Sequence, residues 1–505
     1  MTKKYIEKIL TARVYDVAVE SPLELAKTLS KRHDNQVLLK REDLQSVFSF
    51  KLRGAYNRIY QLTRTKDVIG VVAASAGNHA QGVALAASKL GLHATIVMPK
   101  TTPGIKVDAV RSYGAKAVLI GDNYDEACAY ATKYASEKEL DFIHPYDDPD
   151  VIAGQGTVGL EIIRQHADFI DAIFVCVGGG GLIAGIGSIV KYLSPGTKII
   201  GVEPADAACM TAAFEKNRRV VLEHVGIFAD GVAVKQVGKE TFRVAKQCVD
   251  QMITVSTDEI CAAIKDIFDD TRSIAEPAGA LAVAGLKKYV EQEQVQGQTL
   301  VATVSGANMN FDRLRHVAER AEIGEQREAL YAVTIPERPG SFKTFCQTIG
   351  KRGITEFNYR YADDVDARVF VGVQLRDGMN ERLELIERLK AKKYPVLDMT
   401  ENEMAKMHVR YLVGGHAAIE DEVLYRFEFP ERPGALLDFL TRIGTRWNIS
   451  LFHYRNHGAA FGRVLVGLQI PEAERVELGQ YLDSLAYPYW DETDNPAYQL
   501  FLSVT

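Results

Sequence analysis

Ser49-Phe50-Lys51-Leu52-Arg53-Gly54-Ala55 is the stretch on which the reading of this chain turns. A lysine stands there between an aromatic and an aliphatic neighbour, just ahead of Gly54-Ala55-Tyr56, where a helix is expected to begin. An amine near apolar groups loses hydration, which penalises its charged form and lowers its pKa. A neutral amine can attack a carbonyl and form a Schiff base. The alternative is a helix-terminal lysine with its ammonium in water, the usual state of this residue type. What decides between them lies on either side in the sequence.

Upstream, Val37-Leu38-Leu39-Lys40 reads as a short strand leading through Arg41-Glu42-Asp43 to the lysine. Residues 5 to 32 read as helix, turn and helix, with Ser21-Pro22 as N-cap and first-turn pair for a helix over 23 to 29. Downstream, Val68-Ile69-Gly70-Val71-Val72-Ala73-Ala74 reads as a buried strand. It runs into Ser75-Ala76-Gly77-Asn78-His79-Ala80-Gln81-Gly82 and then a helix through Leu90. A strand that stops in small polar residues and enters a helix aims several amide N–H groups at one point, a geometry that receives anions, carboxylates included. Ser75, Ala76, Gly77, Asn78 and His79 are therefore candidate contacts for a substrate carboxylate. Ordinary capping by Ser75 or Asn78 is the alternative. Further strands over 94–99 and 114–120 alternate with helices, which indicates an α/β fold with a parallel sheet covered on both faces.

Ala172-Ile173-Phe174-Val175-Cys176-Val177 is a buried strand followed at once by Gly178-Gly179-Gly180-Gly181-Leu182. Four glycines destabilise any regular element, so they need a reason. Without Cβ atoms, successive amides can approach a phosphate closely, and the dipole of the next helix adds attraction. A flexible turn is the bland alternative. The pattern is neither the dinucleotide GxGxxG nor a Walker A loop. Ile199 to Pro204 is a further strand, Glu276-Pro277-Ala278-Gly279-Ala280 opens a helix, and the strand Leu300 to Val304 ends in Ser305-Gly306-Ala307-Asn308. Each motif falls where α/β sheets place their ligands, beyond the carboxyl ends of strands.

At 505 residues the chain exceeds one hydrophobic core, so two or three domains are expected. A composition of 47% hydrophobic and 25% charged residues is ordinary for a soluble protein. A net charge of -6 argues against a nucleic-acid footprint, which would need a clustered basic face. The six cysteines are scattered with no CxxC pair, which speaks against a zinc site or disulfide framework and suits a reducing compartment. No run reaches membrane-spanning length and the N-terminus lacks a signal-peptide core. A soluble, cytoplasmic protein without metal, nucleic-acid or membrane partners is expected.

The motifs in their order, SFKLRGA, SAGNHAQG, GGGGL and SGAN across residues 49 to 308, resemble the fold-type-II pyridoxal-phosphate enzymes, the group that includes tryptophan synthase β chains and amino-acid dehydratases. SFKLRGAY and SAGNHAQG are most similar to the threonine dehydratases, and the likeness covers essentially the first 325 residues. It implies pyridoxal 5'-phosphate as cofactor, held on Lys51 as the Schiff-base lysine. Phe50 would wall its ring and Asn78 would contact its 3-hydroxyl. Gly178, Gly179, Gly180, Gly181 and Leu182 would hold its phosphate, and Ser305 would face the pyridine nitrogen. The amides of Ser75 to His79 would orient the substrate. A hydroxyl at Ser305 cannot hold the ring nitrogen protonated as a carboxylate would, which suits β-elimination. L-Threonine, with L-serine as an alternative, would give 2-oxobutanoate and ammonium. No side chain presents itself as the acid for hydroxyl loss, and the resemblance implies the bound phosphate.

After Glu325-Gln326-Arg327-Glu328 the character of the chain changes. Tyr331-Ala332-Val333-Thr334-Ile335-Pro336-Glu337-Arg338-Pro339-Gly340 is echoed by Tyr425-Arg426-Phe427-Glu428-Phe429-Pro430-Glu431-Arg432-Pro433-Gly434. The echo continues from 354–360 to 449–455 and from 368–374 to 463–469, so a domain is duplicated. Each copy reads strand, Pro-Gly turn, helix, strand, strand, helix, strand, the ferredoxin-like arrangement. The copies resemble the ACT-like regulatory domains of biosynthetic threonine dehydratases, which implies isoleucine as inhibitor and valine opposing it. Effector contacts would lie near Phe342 and Leu437, and His408, His416, His453 and His457 lack metal-ligand spacing. Phe357, Tyr359, Phe452 and Tyr454 read as sheet packing. The expected division is therefore a catalytic domain at 1–325 and regulatory domains at 329–400 and 423–505, in a homo-oligomer that the resemblance makes a tetramer. Other readings are a serine-preferring or degradative dehydratase, a serine racemase, and a catalytically silent amino-acid sensor. The tandem repeat argues against a degradative enzyme, and an intact Lys51 against a silent one.

Overall fold

The computed structural model describes residues 3–336, 341–350, 352, 354–360, 366–411, 421–430, 447–455, 461–485 and 487–502. The chain forms two compact units, Met1–Ala321 and Glu322–Thr505.

Ten strands build the first unit: β1 (Leu23–Leu25), β2 (Gln36–Arg41), β3 (Gly70–Ala74), β4 (His93–Met98), β5 (Lys116–Leu119), β6 (Asp141–Phe142), β7 (Ala172–Cys176), β8 (Lys198–Pro204), β9 (Gln251–Val255) and β10 (Thr299–Val304). They form a large sheet in the order β1-β2-β10-β7-β8-β9 and a small one in the order β5-β4-β3-β6. All pairings are parallel except the edge pair β1–β2. Strands buried on both faces read as continuous apolar runs, which is why β7 (Ala172 to Cys176) and β3 stood out in the sequence.

Two local expectations are corrected. Ser21-Pro22 does not start a helix. The Ser21 hydroxyl is drawn to Glu42 Oε1 at 2.5 Å, leaving Leu23 to Leu25 to pair antiparallel with β2, and the helix begins at Lys27. The helix after Ser49 begins at Lys51 itself and runs to Thr65, so the lysine opens its first turn.

That helix is held without slack. A Cβ on Gly82, in the helix Asn78–Lys89, would lie 3.1 Å from Leu52 Cα, and one on Gly154, in the helix Pro149–Gln165, would lie 2.7 Å from the Arg53 carbonyl oxygen. Only glycine permits both approaches. Arg53, fully buried, donates to both carboxylate oxygens of Glu42 (2.7 and 2.8 Å) and to Glu161, whose Oε2 also accepts from Lys40 at 2.6 Å. Two cations and two carboxylates balance there. Removing one partner of such a buried set costs ~3–5 kcal/mol, because the other charge is left uncompensated.

The second unit contains two four-stranded antiparallel sheets. The first is β12-β13-β11-β14, from β11 (Glu328–Pro336), β12 (Ile354–Arg360), β13 (Asp366–Gln374) and β14 (Val396–Asp398), with helices Ser341–Ile349 and Gly378–Ala391. The second is β16-β17-β15-β18, from β15 (Glu422–Pro430), β16 (Asn448–Arg455), β17 (Phe461–Gln469) and β18 (Tyr489–Asp491), with the helix Arg475–Ser484. The strand orders match position for position, as duplication requires. The sequence echo extends to side-chain bonds: Thr400 Oγ1 accepts from Leu330 N at 3.0 Å, and Thr493 Oγ1 from Leu424 N at 3.1 Å. The copies also meet: Asn402 donates to Asn495 at 3.3 Å, and Phe370 packs edge-on against Phe501. The helix Ser341–Ile349 carries Phe342, whose side chain is outside the described ones, as are those of Phe357, Tyr359, Phe452, His453 and Tyr454. Leu437, both Pro-Gly turns, His416 and His457 lie outside the described residues.

Among the described residues, no helix is long and apolar enough to cross a membrane, and no three His, Cys, Asp or Glu side chains are placed to hold a metal ion.

Candidate active site

Beyond β10 the chain turns back along the lysine segment. Ser49 bridges Gly306, the Phe50 amide donates to the Ser305 carbonyl at 3.4 Å, and the Ala307 amide donates to the Phe48 carbonyl at 2.9 Å. These bonds zip SFKLRGA to SGAN, which are some 250 residues apart in the chain. Lys51 opens its helix with Nζ 5.2 Å from the centroid of the Phe50 ring, and Phe50 itself is buried. Burial lowers the pKa of Lys51, and the nearby Cys176 and Glu276 only partly oppose it.

Ser305 is buried, and its hydroxyl donates to the Ala278 carbonyl at 3.2 Å. It also hydrogen-bonds Cys176, whose thiol burial pushes up to about 11. Cys176, at the end of β7, is a neighbour that sequence reasoning missed.

The segment Ser75 to His79 opens the helix Asn78–Lys89. The Ser75 amide is used by Val97 and the Gly77 amide by the Ser75 hydroxyl, at 3.1 and 3.2 Å. Among the described residues, the amides of Ala76, Asn78 and His79 have no protein acceptor. His79 is buried, its ring Nε2 is 2.9 Å from the Ile143 carbonyl, and burial brings its pKa down to about 3. It is therefore a neutral ring at physiological pH, with Lys51 reinforcing that state.

The glycine run opens the helix Gly181–Leu193. Gly180 has φ +91°, a left-handed conformation that suits glycine alone. A Cβ on Gly179 would lie 2.2 Å from Tyr146 Cγ, far inside contact distance of the ring. The Gly179 carbonyl accepts from Thr241 Oγ1 at 2.6 Å, so the peptide direction is fixed. Among the described residues the amides of Gly178 through Leu182 have no protein acceptor. A row of consecutive unsatisfied amides at a helix N-terminus fits an anion, phosphate above all.

Two polar groups that the sequence did not single out complete the site. Asn78 Nδ2 donates to Glu276 Oε1 at 2.6 Å, and Asn308 Nδ2 donates to Asn78 Oδ1 at 2.7 Å and to the Val47 carbonyl at 2.8 Å. Burial, reinforced by Asp230, raises the Glu276 pKa to about 7. Asp230 pairs with Lys106 Nζ at 2.8 Å and Arg313 at 3.4 Å. Burial opposes its ionisation, but those two cations outweigh it and hold its pKa below the usual range. Glu276 sits at the N-cap of the helix Pro277–Glu293, a place where a capping role conceals any other.

A lysine amine of lowered pKa, an amide cradle for a phosphate, a second cradle for a carboxylate, and a buried hydroxyl thus lie around the carboxyl ends of both sheets. The set fits pyridoxal phosphate and an amino acid. Residues 15–306 match the family described as pyridoxal-phosphate dependent enzyme, and residues 319–409 and 413–502 each match the C-terminal regulatory domain of threonine dehydratase. A biosynthetic L-threonine dehydratase of Burkholderia multivorans is 56% identical over 503 residues, covering 99% of each chain. One from Escherichia coli is 52% identical over 501 residues, covering 99% of this chain and 97% of its own. In structure, the processed form of threonine deaminase isoform 2 from Solanum lycopersicum superposes with a TM-score of 0.62 at 52% identity, covering 63% of this chain and 92% of that one. The chain belongs to the biosynthetic threonine dehydratases, within the pyridoxal-phosphate-dependent enzymes.

Proposed function

We propose that this chain dehydrates and deaminates L-threonine, releasing 2-oxobutanoate and ammonium as the first step of isoleucine formation. The observation that carries this reading is Lys51, an amine of lowered pKa fixed at a helix start, with two sets of amides that have no protein acceptor among the described residues. Pyridoxal phosphate, when bound, supplies the electron sink for negative charge at the substrate Cα.

The protein supplies holding, orientation and proton transfer. The amides of Gly178 to Leu182 hold the phosphate, and Asn78 and Ser305 address the 3-hydroxyl and the ring nitrogen. The Ser305 hydroxyl, which donates to the Ala278 carbonyl, would turn its hydrogen to the ring nitrogen, and a neutral donor there leaves that nitrogen unprotonated. The amides of Ala76, Asn78 and His79 take the substrate carboxylate, with His79 kept neutral so that it adds no charge of its own. Lys51, freed as a neutral amine, takes the proton from Cα. Phe50, Ser305 and His79 are buried, and Lys51 is half-buried.

Residues 1–325 carry the chemistry in this reading. The regions 329–400 and 423–505 sense isoleucine, with valine opposing, and Phe342 and Leu437 are the proposed effector contacts. The working form is a cytoplasmic homo-oligomer, taken as a tetramer. The purified chain should be yellow and form a ketoacid only when threonine is added. Borohydride should fix the cofactor to Lys51, and Lys51→Ala should lose turnover. Label on another lysine, or ketoacid from serine but not threonine, would overturn the assignment.

A further inference from the structure

The orientation of the Asn78 amide is fixed by a chain of hydrogen bonds that starts in the lysine segment. The Val47 carbonyl, four residues before Lys51, can only accept. It therefore takes the Nδ2 group of Asn308, at 2.8 Å. The same Nδ2 reaches Asn78 at 2.7 Å, so Asn78 must present Oδ1 to it. The Asn78 Nδ2 then faces Glu276 Oε1, at 2.6 Å. Rotating Asn78 by 180° would set its Nδ2 against the Asn308 Nδ2, donor to donor. Gly306 and Gly231 leave room for the Glu276 carboxylate: a Cβ on Gly306 would lie 2.6 Å from its Oε1 and one on Gly231 would lie 3.6 Å from it. Its own amide is tied to the Gly306 carbonyl at 3.0 Å. One N–H of Asn78 is used by Glu276, and the second has no acceptor among the described residues.

We propose that Asn308 and Glu276 are positioning residues that lock the Asn78 amide, so that its second N–H is the donor offered to the phenolic oxygen of pyridoxal phosphate. This rests on the reading of Asn78 as the 3-hydroxyl contact. A donor at that oxygen favours its ionised form, so the lock sets both cofactor affinity and the protonation of the bound cofactor. The charged and titratable groups around Glu276 are Asp230, Lys106, Arg313, Lys51 and Cys176. None of them donates to or accepts from Asn78.

The test uses the full-length chain, stripped of cofactor and titrated with pyridoxal phosphate, with absorbance of the bound cofactor followed against pH. Asn78→Ala and Asn308→Ala should each weaken binding roughly 5- to 10-fold, the worth of one hydrogen bond. Both should move the absorbance midpoint upward. The double variant should bind no more weakly than Asn78→Ala alone, because both changes remove one interaction. Glu276→Gln, which keeps an acceptor, should stay within about twofold of wild type, whereas Glu276→Ala should fall with Asn308→Ala. Thermal midpoints of the cofactor-free forms separate folding damage from loss of the donor. Additive losses in the double variant, or an unmoved absorbance midpoint in Asn308→Ala, overturn the lock. Wild-type affinity in Asn78→Ala overturns the role of Asn78 itself, and this inference with it.

Discussion

Gly179→Ala is the sharpest test of the phosphate cradle. The added Cβ would stand 2.2 Å from Tyr146 Cγ and 2.3 Å from each Cδ. Carbon atoms rest at about 3.5–4.0 Å, so ring and loop must part by roughly 1.3 Å or more. Neither yields freely. The Tyr146 ring packs edge-on against His144 at 4.6 Å, and its hydroxyl donates to the Gln236 carbonyl at 3.3 Å. The loop is pinned by Thr241 and Gly238 on the Gly179 carbonyl, and a Cβ-sized shift at Gly178 would meet Val232. Overpacking of this kind costs ~1–3 kcal/mol. If the loop gives way, its amides lose their alignment and that energy appears as weaker cofactor binding, roughly 5- to 150-fold. Titration of the cofactor-free chain with pyridoxal phosphate measures it directly. Gly179→Ala combined with Tyr146→Ala should recover to within about threefold of Tyr146→Ala alone, because the clash is removed. Wild-type affinity in Gly179→Ala would refute the argument that this loop must stay free of Cβ atoms to hold the phosphate.

Glu276→Gln should change how stability depends on pH. A carboxyl raised from 4.5 to about 7 contributes stability that is fully present below about pH 4.5 and lost as pH rises through about 7. The variant should therefore be more stable than wild type at pH 8, by at most ~3 kcal/mol, and no more stable at pH 4; equal urea midpoints at both pH values would count against a raised Glu276. Ser305→Asp should slow dehydration and admit racemised or transaminated products, because a carboxylate would hold the ring nitrogen protonated; clean threonine turnover at the wild-type rate would contradict the pairing. A stop placed near Glu322, where the first compact unit ends, should leave a lyase that isoleucine no longer inhibits. Intact coupling of typical size, ~1–3 kcal/mol, makes the loss visible as a roughly 5- to 150-fold change in effector response, and unchanged inhibition would place the effector site in residues 1–321.

What the sequence showed and what it hid divide along a physical line. Residues that carry chemistry stood out because their type is wrong for their place. Lys51 sits among apolar neighbours, four glycines follow the buried strand β7, and small polar residues end β3 and β10. Parallel strands stood out because burial on both faces leaves unbroken apolar runs, and the duplicated sheets because two copies keep one register. Ser21-Pro22 misled for the converse reason. Its capping signal is local, but a buried Glu42 competes for the hydroxyl and wins. Glu276 and Asn308 gave no such signal, since each is of a type ordinary for its position. One stands at a helix N-cap and the other in a polar turn after a strand. They reach Asn78 across 198 and 230 residues, distances at which no spacing rule operates. The meeting of the two regulatory copies through Asn402 and Asn495 is hidden likewise, for self-comparison gives a register and not an interface. A group that reacts is chosen for its own chemistry and is visible in one residue. A group that aims it is chosen for what it faces, and that exists only once the chain has folded.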